Sequence, residues 1–153
     1  MQTLGEIYQA IDERIIGAMH RWGVDVLRVL VGIVFLWVST LKLYGVSAVE
    51  DIVGTTYAFL PQALFVEVLA FIGIATGIGL LFNVAMRATL ALLWIQMIGT
   101  LVAPILQPDL FFREESILFL TLQGEFILKN IVIIGACIVV GGLLVASRNK
   151  LIQ

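Results

Sequence analysis

Cysteine, histidine and charge are all scarce in this chain, and each scarcity closes off a class of function. A single cysteine, Cys137, excludes an intramolecular disulfide, a Cys-x-x-Cys redox motif and a cysteine-based zinc site. A single histidine, His20, cannot make a bis-histidine haem site by itself. The net charge is −2 with no basic patch, so the electrostatic footprint of nucleic-acid binding is missing. Charged residues make up 13% of the chain, against roughly 25% in a soluble domain. A chain of 153 residues has too much surface to hide behind so little charge. The N-terminal stretch carries Glu6, Asp12 and Glu13 and lacks an uninterrupted apolar run, so a cleavable signal peptide is not expected.

What is abundant is apolar surface: 61% of residues are hydrophobic, and mean hydropathy is +1.08. The expected class is an all-α integral membrane protein, an antiparallel four-helix bundle with an N-terminal amphipathic interfacial helix. The stretch from Asp25 to Tyr44 sets the pattern. On a helix, Arg28, Gly32, Phe35, Ser39 and Lys42 fall at alternating steps of four and three and share one face. Leu30, Ile33, Val34 and Trp37 cover the others. A soluble helix would carry a broad polar face and a narrower apolar stripe; here the proportions are inverted. A hydrocarbon core of ~30 Å needs about 20 residues at 1.5 Å each, and this stretch is long enough.

Three further spans are expected at 62–82, 87–106 and 125–146. Before the first lies 1–22, where Leu4, Ile7, Tyr8, Ile11, Ile15 and Met19 recur at helical spacing opposite Glu6, Asp12, Glu13 and Arg14. Its polar face suits the bilayer interface, and His20, Arg21 and Trp22 suit the headgroup level. The spans occupy 23–147, and 148–153 is a short basic tail. Thr3 with Glu6, and Ser47 with Glu50, match capping boxes; the second opens a short helix that Gly54 ends. Residues 109–123 hold too short an apolar run to cross and read as a loop dipping into the interface. Arg14, Arg21, Arg28, Arg87, Arg148 and Lys150 fall on one side, Lys42, Arg113 and Lys129 on the other. The positive-inside rule then puts both termini in the cytoplasm.

That topology brings Lys42, Glu67, Glu125 and Lys129 towards the outer half of the bundle, with Gln96 and Thr100 reaching them from the third span. Charges inside a membrane normally turn inward and pair, and Glu125 four residues before Lys129 is the favourable order for a helical ion pair. Such a set serves equally as a polar site or as a structural clamp. Arg28 lies one turn inside the cytoplasmic end, within reach of the headgroups. Gly73 and Gly77 form a small-xxx-small pair that admits a close helix contact.

The run Arg28-x3-Gly32-x2-Phe35-x3-Ser39-x2-Lys42-Leu43 resembles the first-helix signature of the DoxX-like membrane proteins. Val66-Glu67-Val68 and Gly124-Glu125-Phe126-Ile127-Leu128-Lys129-Asn130 are similar to family segments in the same order. Ser39 stands where many relatives have glycine. The resemblance covers roughly residues 24 to 147. It implies a small four-helix protein of a bacterial or archaeal inner membrane, with Arg28, Lys42, Glu67, Glu125 and Lys129 as signature positions. Some relatives are described as the membrane subunit of a thiosulfate:quinone oxidoreductase, which implies a quinone-reactive or anchoring role beside a soluble or membrane oxidoreductase partner. A small transporter or proton-conducting channel using the same charges, and a non-catalytic scaffold, stay open beside it, as does a homo-oligomer.

Overall fold

The computed structural model describes residues 4–47, 49–57, 61–113 and 116–150. Four of its helices are long and apolar enough to cross a membrane: Ile11–Leu43 within α1, Gln62–Phe82, Met86–Leu106, and Leu122–Leu143 within α6. They are α1 (Leu4–Leu43), α3 (Gln62–Phe82), α4 (Met86–Leu106) and α6 (Leu122–Lys150), with the short α2 (Val49–Thr56) after the first. The multi-pass class expected from composition therefore holds.

The helices pack in a ring, α1 on α3, α3 on α4, α4 on α6 and α6 back on α1. Neighbours run in opposite directions. Going up α1, Arg28 meets Leu80, Gly32 meets Gly77 and Ser39 meets Gly73, so α3 is read backwards. Leu90 against Gly141 and Thr100 against Asn130 give the same sense for α4 and α6. The α1 signature face turns inward as expected, with Arg28, Gly32, Phe35 and Ser39 buried and Lys42 half-buried. A β-carbon on Gly73 would overlap the Ser39 hydroxyl, and one on Gly77 would lie 2.6 Å from Leu36 Cγ. The small pair thus does what its spacing suggests: it lets two backbones touch, where dispersion rather than water release drives association.

The connections set the ends of the ring. Gly45, at φ 70°, takes the left-handed position after α1. Around it Val46 N–H bonds the Leu41 carbonyl and Gly45 N–H bonds that of Lys42, the double bond of a Schellman turn. The link from α3 to α4 is a tight turn in which Asn83 and Ala85 both have positive φ, 54° and 44°. α2 lays Val49, Ile52 and Val53 into the bundle end. They share one face because i, i+3 and i+4 do.

Four local features differ from the sequence expectation. No break separates 4–22 from the first span, and α1 is a single helix of 40 residues. Neither Gly17 nor Gly23 takes a positive φ, and no proline lies between them, so nothing ends the helix there. Gly54 lies inside α2, not at its end. The Ser47 hydroxyl accepts from Val49 N–H at 3.3 Å while Glu50 N–H bonds the Ser47 carbonyl, so the reciprocal Ser47–Glu50 box is not made. Thr3, half of the other box, lies outside the described residues.

The fourth difference is at 109–123, which is not a plain loop. A helical turn α5 (Pro108–Phe111) leads into a hairpin of β1 (Phe112–Arg113) and β2 (Ser116–Leu120). Phe111 is fully buried beneath it with Ile52, Ala103 and Ile127. Thr121 then caps α6: its hydroxyl donates to the Leu110 carbonyl at 2.7 Å and accepts from Gly124 N–H at 3.2 Å. The cap lets α6 begin at Leu122, before the expected Glu125.

Candidate functional site

Helices α1, α3, α4 and α6 enclose a cavity of about 480 Å³ at the end where α2 covers the ring. That is the size class of small-molecule sites. Its walls are apolar, with Val38 from α1, Leu69 and Ile72 from α3, Met97 from α4 and Phe126 and Ile133 from α6; Ile52 and Val53 close the α2 side. Set into these walls are Ser39, Lys42, Tyr57, Gln96, Thr100, Lys129 and Asn130.

The polar groups are held in place by the helices that carry them. Thr100 Oγ1 donates back to the Met97 carbonyl at 2.9 Å and receives Asn130 Nδ2 at 3.3 Å, tying α4 to α6. The Tyr57 hydroxyl donates to the Gly99 carbonyl at 3.0 Å. The next carbonyl along, that of Thr100, has no helical donor because Pro104 lacks an N–H. Gln96 is only 6% exposed, yet its Nε2 has no acceptor. A buried amide donor without a partner costs about 1–3 kcal/mol, so this N–H is where a ligand oxygen would gain most.

A second, more polar cleft of about 550 Å³ opens beside the first, lined by Lys42, Gly45, Glu50, Gln62, Val66 and Glu67 among others. Gln62 Nε2 donates to the Glu50 carbonyl at 3.0 Å, while Glu50 Oε1 is buried without a donor. Lys42 lines both spaces.

The residues singled out from sequence therefore sort as follows. Lys42, Gln96, Thr100 and Lys129 come together around the cavity. Glu67 is exposed and lines the cleft that Lys42 also borders; Glu125 is exposed and lines neither space. Among the described residues, none of Lys42, Glu67, Glu125 and Lys129 has an ion-pair partner. Arg28 does not line the cavity and lies on α1 before Val34, the first residue of that helix to do so. Instead of reaching outward to headgroups it turns inward, and Nη1 donates to the Leu80 and Leu81 carbonyls, the latter at 2.9 Å. Asp25 pairs with it at 3.3 Å. These carbonyls are among the last four of α3, which have no helical donor of their own, and a cation there also suits the helix dipole.

Sequence reasoning did not assign Tyr57, Glu50 or Asn130 to the site. For Asn130 a signal existed, since an amide in the first turns of a span is as unusual as the lysine beside it. Tyr57 and Glu50 sit in the α2 connection, whose fold over the bundle end no periodicity reveals. Comparison with family models, curated proteins and solved structures finds no match to this chain.

Proposed function

We propose that this multi-pass membrane protein is a DoxX-like, membrane-embedded subunit of a redox complex that holds a quinone headgroup in the cavity at the end of its bundle. The observation carrying this reading is the buried Gln96 amide without an acceptor, in a largely apolar cavity that Lys42 and Lys129 also line. A quinone ring suits such walls, and its two carbonyl oxygens are acceptors for these donors. Reduction to the quinol takes two electrons and two protons. The electrons come from a soluble or membrane oxidoreductase partner, because the chain has no paired cysteines to carry them. The protein belongs in a bacterial or archaeal inner membrane with both termini cytoplasmic, and the polar-faced first turns of α1 continue the first span on the cytoplasmic side. Purified protein should retain quinone, and Gln96→Leu or Lys129→Met should lower the amount. Protein that lacks quinone and fails to bind added quinone would overturn the proposal.

A second reading, a small transporter or proton-conducting channel, is favoured by one observation: Lys42 borders both the apolar cavity and the polar cleft that holds Glu50 and Glu67. Proton flux into liposomes that is lost in Lys42→Met would place it first.

A further inference from the structure

The charge of the cavity is one-sided. Lys42 and Lys129 line it, and among the described residues no aspartate or glutamate does. The carboxylates on the same helices stand elsewhere, Glu67 in the neighbouring cleft and Glu125 exposed. Ammonium groups beside apolar walls in a membrane protein are ordinarily matched by an anion, and among the described residues no carboxylate stands within ion-pair distance of half-buried Lys42 or exposed Lys129. Gln96 adds a nine-tenths buried N–H donor that also lacks an acceptor. Cation and amide ask for the same thing: oxygen acceptors bearing negative charge on a body apolar enough for the walls.

We infer that the cavity is selective for lipophiles with an acidic head, a single acyl chain ending in a carboxylate being the simplest. Such a ligand competes with quinone for the space. The inference rests on the ligand-binding reading above and adds charge selectivity to it. A carboxylate is acceptor-only and offers about four lone-pair sites, so it faces the two lysines and Gln96 without opposing any of them. An alcohol of equal length satisfies one donor and carries no charge. An amine of equal length sets a cation against cations.

Intact protein in a non-ionic detergent is titrated with palmitate, hexadecanol, hexadecylamine, lysophosphatidate and a short-chain ubiquinone, with bound ligand read by native mass spectrometry. Palmitate should bind about tenfold more tightly than hexadecanol, the margin between a charge-assisted and a neutral hydrogen bond. Hexadecylamine should be weakest, and palmitate should displace ubiquinone. The preference for acid over alcohol should vanish in the Lys42→Met, Lys129→Met double variant and survive in Lys42→Arg, Lys129→Arg. Lysophosphatidate binding alongside palmitate supports recognition of the acidic head whether it comes from a phospholipid or a free fatty acid. Palmitate alone supports a free fatty acid. Equal affinity for acid and alcohol, or a preference that persists in the double Met variant, overturns charge selectivity while quinone binding still stands. If neither chains nor quinone bind, both readings fall. Should the double Met variant not fold, the acid-to-alcohol ratio in the native and Arg proteins decides.

Discussion

An arginine inside a membrane helix is costly unless its N–H groups find acceptors, and Arg28 finds two in the last turn of α3. Replacing it with Met should cost roughly 1–3 kcal/mol, because carbonyls satisfied only by the guanidinium are then orphaned. Lys should recover part of the loss, since an ammonium can donate to the carbonyls but lacks the fork that lets Nη1 serve them while Nη2 holds Asp25. Thermal unfolding in mild detergent ranks the three proteins. Ala85 carries strain of another kind. At φ 44° it occupies a region that costs an L-residue about 1–2 kcal/mol. Ala85→Gly should therefore raise the melting temperature, and an unchanged or lower value would mean that the turn relaxes around alanine. The presence of Lys42 and Gln96 on inward faces could be read from spacing, whereas the inward turn of Arg28 onto α3 could not. Nor could the direction of Glu67. Its helix is apolar on every side, so periodicity gives α3 no preferred face when lipid and bundle interior are equally greasy.

Elements tell the same story through their glycines. In α1, a β-carbon at Gly23 would meet nothing within 4 Å, whereas at Gly32 it would sit 3.1 Å from the Gly77 carbonyl. Gly23→Ala should stabilise the helix by about 0.5–1 kcal/mol. Gly77→Ala should destabilise the bundle, since its new methyl would press on Leu36 and the Gly32 carbonyl. Opposite shifts in melting temperature from the same chemical change would distinguish a free helix surface from a packed one; shifts of one sign would contradict this packing. The lengths of α3 and α4 were legible because a bilayer imposes a fixed thickness: α3 runs from Gln62 to Phe82 as hydropathy suggests, and α4 begins one residue early. The hairpin after α4 was not legible. An apolar run as short as 117–120 suits a strand or an interfacial loop equally, and its pairing with β1 depends on a partner of two residues.

At the scale of the molecule, sidedness and coupling are open to direct tests. Reporter fusions at both ends should score cytoplasmic if the excess of arginine marks the inner face; opposite scores would contradict an even number of crossings. Glu67 and Lys129 line different spaces, so Glu67→Gln and Lys129→Met should add in their effects on stability to within about 0.5 kcal/mol. A large deviation measured in the double mutant would require them to share a network. The length of α1 has a mechanical consequence. Its 40 residues reach about 60 Å at 1.5 Å each, about twice the hydrocarbon thickness. With no joint along it, the helix works as a lever: a partner gripping its first turns and tilting them would move Ser39 and Lys42 at the other end. Whatever docks there and whatever fills the cavity would then be bound to each other's terms, each altering the other's affinity by one and the same factor.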